Sequence, residues 1–345
     1  QSTMRKNVRL LAASLAALSL VATACGGDDS DSSSDGGGDG IKAGIAFDTG
    51  GRGDGTFNDS AATGGERATS ELGAQVTELE ATVDEDRKAN LELLASDGNA
   101  VIVGVGFMFT DPMAEVAAAN PDITFGIVDS VVEADNVKSL VFAEEQGSFL
   151  VGAAAALKSE SGKIGFIGGQ EIDLIKKFEA GYTAGAKYIN PDIVVDVQYL
   201  GPAGDNSAWG NVAGAKEIAA GWYAAGTDVI YTAAGGSGAG TIQAAIEAGK
   251  WAIGVDSDQY LTSGDDEAAK AVILTSMLKR VDVAVFETIK AVVDGDTSGG
   301  IKVFDLSNDG VGYSTSGGYI DDFVDQLEEI KAKIISGEIT VPTAP

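Results

Sequence analysis

From Ile41 onward, short apolar runs alternate with longer stretches in which apolar positions recur every three or four residues. The runs read "IKAGIAFD", "AQVTELEA", "AVIVGVG", "ITFGIVD", "VKSLVFA", "KIGFIGG", "IVVDVQYL", "DVIYTAA", "WAIGVDSD" and "AVILTSM". Most are apolar at consecutive positions, the signature of strands buried on both faces. Between them lie helix-length segments such as Ser60–Leu72, Asp84–Ala95, Ile172–Ile189 and Asn206–Ala225. This alternation predicts an α/β protein with parallel sheets covered on both sides. The strands are too many for one compact unit, so two doubly wound lobes are expected. An echo supports the pair: "NPDI" stops a helix and feeds a strand in both "AAANPDITFGIVD" and "KYINPDIVVDVQY".

The first forty residues follow another pattern. Arg5, Lys6 and Arg9 precede an apolar stretch from Leu10 to Val21, then Ala22-Thr23-Ala24 and the single cysteine, Cys25. A basic segment, a short apolar core and small residues are the parts of a secretory signal, and this core is too short to span a bilayer. With Cys25 directly after it, the segment resembles a bacterial lipobox, although Ala22 stands where Leu or Val is usual. Residues 1–24 are therefore expected to be a lipoprotein signal peptide and Cys25 the lipidated residue. "GGDDSDSSSDGGGDG" holds no apolar residue, so residues 25–40 read as a disordered tether. The expected location is the extracytoplasmic face of the cell membrane, held by lipid.

Charge and composition narrow the chemistry. With 52 acidic against 23 basic side chains the net charge is -29, which repels nucleic acid and anionic membrane surfaces. No histidine is present, which removes histidine-based acid–base and nucleophile pairs and most catalytic zinc ligands. No cofactor and no metal are expected, and the chain is read as a monomer.

In open parallel sheets ligands bind beyond the carboxyl ends of the strands. The residues there are Asp48 to Asn58, Gly106-Phe107, Asp129-Ser130, Gly168 to Glu171, Ala234 to Gly240 and Asp256 to Gln259. Glycine, carboxylate, amide and aromatic groups dominate, which suits a polar ligand with an aromatic part. "AAGGSGAGTIQAAI" lacks both the G-x-G-x-x-G spacing and a P-loop lysine; it reads as close backbone approach to a neutral ligand, or as a tight turn. In "WAIGVDSDQ", strand alternation lets only one of Asp256 and Asp258 face a ligand, and Asp256 is the candidate. Lys279 and Arg280 read as the start of a helix, where cations oppose the dipole and need a compensating anion. Lys279 would then neutralise Asp256. Phe178 and Tyr182, four apart on one helix, would ordinarily be core. In "FDTGGRGDGTFND" the phosphate and calcium readings lack lysine and regular oxygen ligands. Its Arg-Gly-Asp reads as a chance tripeptide in a glycine-rich loop after the first strand, with Asp48 at its entrance and Phe57-Asn58 at its exit.

Taken together, "FDTGGRGDGTFNDSA", "FIGGQEIDLIKKFEAGYTAGAKYINPDI", "TAAGGSGAGTIQAAIEAGKWAIGVDSDQ" and "LTSMLKRVDVAVFE" resemble the basic-membrane-protein (Bmp) family. These are substrate-binding lipoproteins of ABC transporters, with a nucleoside-binding, PnrA-like branch. The resemblance runs over most of residues 41–340. It implies a type I periplasmic-binding-protein fold: two lobes joined by hinge crossovers, here 41–142 plus about 258–300, and 143–257 plus about 301–345. It further implies that Phe57 and Phe178 stack on a base and that Asp48 and Asn58 bond its polar edge. Asp129 matches a carboxylate of the family's site and Gly235-Gly236 its glycine loop, while Asp256 and Lys279 are expected near the ribose hydroxyls. The chain has Gly55-Thr56 before Phe57, where the family often has Lys or Asp followed by Ser, and the loop is two glycines richer.

The expected function is capture of a nucleoside, a purine first, and delivery to an ABC permease, without catalysis. The same residues leave room for a sugar or another small polar metabolite. Two further readings are a carboxylate-only hydrolase using Asp129 and Asp256, and an adhesion or sensor lipoprotein using the tripeptide at Arg52.

Overall fold

A computed structural model describes residues 40–345 of the chain. The signal segment, Cys25 and the tether as far as residue 39 lie outside the described residues.

The consecutive apolar runs become strands because helices cover both of their faces. In the first sheet these are β1 (Lys42–Phe47), β2 (Gln75–Glu80), β3 (Val101–Val105), β4 (Thr124–Val128) and β5 (Val137–Phe142). The connecting helices are α1 (Phe57–Leu72), α2 (Asp84–Ser96) and α3 (Thr110–Ala119). After α4 (Glu144–Lys158), a second sheet repeats the plan. It runs through β6 (Lys163–Gln170), α5 (Asp173–Ile189), β7 (Val194–Gly201), α6 (Val212–Ala224), β8 (Val229–Ala233), α7 (Gly238–Ala248) and β9 (Trp251–Asp256). Two single-turn helices, α8 (Gln259–Thr262) and α9 (Glu267–Lys270), lead to β10 (Ile273–Lys279). The chain ends through α10 (Val281–Val293), β11 (Gly300–Phe304), β12 (Val311–Tyr313) and α11 (Val324–Ile335).

The strand orders are β11-β5-β4-β3-β1-β2 and β12-β10-β9-β8-β6-β7. Every pairing is parallel except that of β10 with β12. Each lobe thus has the doubly wound order 2-1-3-4-5 with one added edge strand, and in both the order reverses beside the first strand. That reversal opens a crevice at the carboxyl ends of β1 and β3 in one lobe, and of β6 and β8 in the other.

Three crossings join the lobes, near Ala143, Arg280 and Asp305, and main-chain bonds lace them together. Ala143 N donates to Phe304 O at 2.9 Å, Arg280 N to Gly310 O at 2.9 Å, and Gly310 N to Asp305 O at 2.8 Å. Phe142 and Phe304 stack at 4.9 Å between ring centroids beside the first and third crossings. In the second lobe α4 lies against α5 at backbone distance: a Cβ at Gly185 would fall 1.9 Å from the Phe149 carbonyl oxygen.

Four sequence-based expectations change. The segment from about 258 does not return to the first lobe: α8, α9 and β10 complete the second, and the crossing comes at Arg280. The third crossing falls near Asp305 rather than 300, because β11 pairs with β5 of the first sheet. The two "NPDI" segments feed β4 and β7, the fourth strand of one lobe and the second of the other, so the echo is helix punctuation and not a repeat in register. Finally, β11 and β12 are additional strands, short and held mainly by distant partners.

Candidate functional site

The two crevices face each other across a cleft of about 270 Å³, near the lower end of the ~300–1,000 Å³ of small-molecule sites. One wall is the loop after β1. Gly50, Gly51, Gly53 and Gly55 all have positive φ, between 55° and 106°, a run that residues with a Cβ would resist. The coil returns the chain to Phe57 and Asn58 in the first turn of α1. Asp54 accepts the backbone N–H groups of Asn58 at 2.8 Å, Thr56 at 2.9 Å and Asp59 at 3.2 Å, so it caps this helix from within the loop. Arg52 points away from the cleft to Glu66 at 2.6 Å and Glu78 at 3.0 Å. The tripeptide is therefore a structural part of the loop, and its carboxylate also lines the cleft.

Asp48, at the loop entrance, is buried against a partner the sequence reading missed. Arg87 of α2, only 3 % exposed, contacts Asp48 Oδ1 from Nε at 2.8 Å and from Nη2 at 2.7 Å. Burial lifts the Asp48 pKa above the usual carboxylate range, against the downward pull of Arg87.

The second charged group straddles both lobes. Lys279 is not in a helix, as the sequence suggested; it is the last residue of β10, and Arg280 alone precedes α10, paired with Asp282 at 2.8 Å. Lys279 Nζ lies 2.6 Å from Asp129 Oδ1 and 3.2 Å from Glu144 Oε1. Its ion pairs are thus with Asp129 and Glu144, not with Asp256 as expected. Burial pulls its pKa down, but Asp129, Glu144 and Asp256 outweigh that and hold it above the lysine norm. Asp129 is raised by burial, which Lys279 opposes. Burial also pushes Asp256 up to about 7, with Lys279 acting in the other direction.

Asp129 and Asp256 occupy matching places, just past β4 and at the end of β9, with φ of 67° and 65°. Left-handed backbone outside glycine costs about 1–2 kcal/mol. Strain of this kind clusters at functional sites. Asp258, two residues on, turns instead to Ser316 Oγ at 2.6 Å.

Aromatic rings supply much of the remaining surface. Phe57 and Phe107 come from the first lobe, Phe178 and Trp209 from the second. Phe107 and Trp209 meet edge-to-face across the opening, 6.3 Å between centroids. Lys279 Nζ stands 5.3 Å from the Phe57 ring centre and 5.6 Å from that of Phe178, within cation–π range of both. Tyr182, one turn beyond Phe178, is core and packs against Phe166 and Tyr231. Asn58 Oδ1 and Trp209 Nε1 are buried without a protein hydrogen-bond partner. Both residues line the cleft, so a bound molecule could satisfy them.

All nine ligand-binding candidates, Asp48, Phe57, Asn58, Asp129, Phe178, Gly235, Gly236, Asp256 and Lys279, line this one cleft. Gly235 adopts φ of 55°, so a turn and a cleft wall are the same feature there. The segment Gly168 to Glu171 does not line it; Gln170 is buried behind. Besides Arg87, sequence reasoning missed Glu144, Asp54 and Trp209. Asp84 and Arg87 on one helix face could have flagged the arginine, and Trp209 sat inside a segment read as one continuous helix.

Comparison with known proteins places this geometry. Residues 41–344 match the family model Bmp, described as ABC transporter substrate-binding protein PnrA-like. The nucleoside-binding protein BmpA of an ABC transporter in Lactococcus lactis is 36 % identical, covering 97 % of this chain and 99 % of that protein. A CD4+ T-cell-stimulating antigen of Listeria innocua is also 36 % identical, covering 99 % of this chain and 100 % of the antigen. Among solved structures, an ABC transporter solute-binding protein from Aeropyrum pernix superposes with a TM-score of 0.75 at 30 % identity, covering 88 % of this chain and 93 % of that one. This chain belongs to the Bmp family of PnrA-like ABC transporter substrate-binding proteins.

Proposed function

We propose that the protein captures a nucleoside, a purine first, between its two lobes and delivers it to the permease of an ABC importer. It does so as a monomer outside the cytoplasmic membrane, anchored by lipid at Cys25. The observation that carries this reading is the make-up of the cleft: Phe57 and Phe178 from opposite lobes, with Asp48 and Asn58, and with Asp129 and Asp256 around Lys279. A base between two rings gains about 0.5–1.5 kcal/mol per aromatic pair beyond its buried area. Asp48 and Asn58 offer acceptors for its polar edge. Asp129 and Asp256 offer acceptors for ribose hydroxyls, and a buried acceptor left unpaired costs about 1–3 kcal/mol. That penalty discriminates against ligands lacking the hydroxyls. The name of the Lactococcus relative points the same way. Lobe closure about the three crossings would expel water and present a ligand-dependent surface to the permease.

A thermal-shift panel of nucleosides, free bases, nucleotides and sugars tests this. Ligand at about 100 times its Kd adds ~2.7 kcal/mol, a shift of several degrees. Nucleosides should raise the melting temperature and be recovered intact after long incubation. Shifts with sugars alone would make this a sugar-binding member of the fold, and hydrolysed nucleoside would make it an enzyme.

A further inference from the structure

One line of polar contacts leaves the cleft through its back wall and crosses from lobe to lobe. It starts at Asp48, held by Arg87 Nε and Nη2 at 2.8 and 2.7 Å. The other terminal nitrogen, Nη1, donates to Asp84 Oδ1 at 2.8 Å. That oxygen also accepts Asn206 Nδ2, which belongs to the opposite lobe, at 3.0 Å. Asn206 Oδ1 in turn accepts Gln170 Nε2 at 3.0 Å, and Gln170 Oε1 accepts Gly204 N at 2.9 Å. Gln170 is 1 % exposed, so the second-lobe end is anchored in the body of the protein.

We propose that Arg87 is a positioning residue for Asp48, and that Arg87, Asp84 and Asn206 form a latch linking ligand held at Asp48 to closure of the lobes. The inference rests on the reading that a ligand sits in this cleft, but not on that ligand being a nucleoside. Its physical basis is the guanidinium plane. Arginine presents its donors in a rigid fork, so the orientation that satisfies Asp48 also decides where Nη1 points. Nη2 additionally donates to Thr49 Oγ1 at 3.0 Å, which pins the plane. A ligand that draws Asp48 into its productive position therefore sets the arginine, and through it the rotamer of Asp84, the acceptor Asn206 needs. Asp84 is 71 % exposed at its side chain, so the bond from Asn206 is weak by itself. A weak bond that exists only in the closed form acts on how long the lobes stay shut, and interface changes of this kind appear mainly in the dissociation rate. Ser257 Oγ to Thr56 O at 2.8 Å and Thr262 Oγ1 to Gly55 O at 3.1 Å bridge the lobes elsewhere. Neither of these touches Asp48 or Arg87.

The test exchanges the two partners, exposed Asp84 and half-buried Asn206. Asn206→Asp sets two carboxylates against each other and should open the latch. The double variant Asp84→Asn/Asn206→Asp restores a donor facing an acceptor, and leaves acceptors for both Arg87 and Gln170. With adenosine as probe in stopped-flow fluorescence, Asn206→Asp should dissociate about tenfold faster, equivalent to ~1.4 kcal/mol, with association within about twofold of wild type. The double variant should recover the wild-type rate. Arg87→Lys keeps the charge but loses the fork, and should also release adenosine faster. A purely structural arginine would lower the melting temperature and leave the dissociation rate alone. Wild-type dissociation from Asn206→Asp, or no recovery in the double variant, overturns the latch. If wild type binds no adenosine, the panel member that most raises its melting temperature replaces it as the probe, and the same faster release in Asn206→Asp and recovery in the double variant are required. If no panel member raises the melting temperature of wild type, the cleft holds no such ligand and the latch falls with that reading.

Discussion

Lys279 and Asp129 lie 2.6 Å apart, although one ends a strand of the second sheet and the other follows a strand of the first. The pair ties the lobes together at the floor of the cleft. The Lys279 ammonium faces three buried carboxylates, Asp129, Glu144 and Asp256, and Lys177 adds a second cation 3.2 Å from Glu144. The balance is asymmetric, so the site should respond sharply to loss of charge and to pH.

Removing the cation should be severe. Lys279→Met leaves the three carboxylates facing one another without their shared partner, and breaking a buried ion pair from one side costs about 3–5 kcal/mol. Urea denaturation at pH 7 should register that loss, and it should shrink at pH 5, where protonation of Asp256 relieves part of the repulsion. A change below about 1 kcal/mol would mean that Lys279 does not hold the cluster together.

Asp256 should make stability fall with rising pH. Its pKa in the folded protein, about 7, lies above its usual 3.8, so between those values the native state holds a proton that the unfolded chain has lost. The contribution is complete below about pH 4 and is gone once pH passes 7. A displacement of that size corresponds to at most ~4 kcal/mol. Asp256→Asn cannot ionise, so its melting temperature relative to wild type should be higher at pH 8 than at pH 5. A constant difference across that range would show that Asp256 titrates normally.

Ligand recognition should depend on single residues from both sides of the cleft. Phe57→Ala removes one aromatic face and Asp256→Ala one hydroxyl acceptor. Each should abolish the ligand-induced thermal shift while the unliganded protein still melts cooperatively. If both variants keep the shift, the ligand sits elsewhere, although the fold is unaffected.

The Arg-Gly-Asp tripeptide should behave as part of the scaffold. Asp54→Ala removes the cap of α1 and should cost about 1–2 kcal/mol in denaturant titrations. Arg52→Ala breaks only half-exposed ion pairs and should cost below about 1 kcal/mol. Equal and negligible effects would return the tripeptide to the status of a chance sequence.

Much of this site could be read along the chain because binding residues of a doubly wound sheet follow strand ends. Asp48, Asp129, Gly235 and Asp256 each sit directly after an apolar run, where the strand's own pattern marks the spot. Phe57, Asn58 and Phe178 needed the family resemblance, since a helical phenylalanine looks like core until its neighbours are known. Trp209 lies in a 3₁₀ turn, Asn206–Trp209, that Gly210 and the N-cap Asn211 separate from α6; a single helix over Asn206–Ala225 passes over that break. Arg87 was missed because nothing near it in sequence reveals that Asp48, 39 residues earlier, lies against it.

Local pattern alone settled the alternation of strand and helix, the two-lobed α/β class and the exclusion of histidine chemistry. These depend on periodicity and composition, which act over a few residues at a time. The tertiary structure decided where the chain crosses between lobes, that β11 and β12 complete the two sheets, and that Lys279 pairs with Asp129 and Glu144 rather than with Asp256. Each of those depends on a pairing between residues far apart in sequence. Such pairings are selected by the packing of the whole core and by the cost of leaving a buried charge or a sheet edge unpartnered, and neither quantity is defined until the chain has folded.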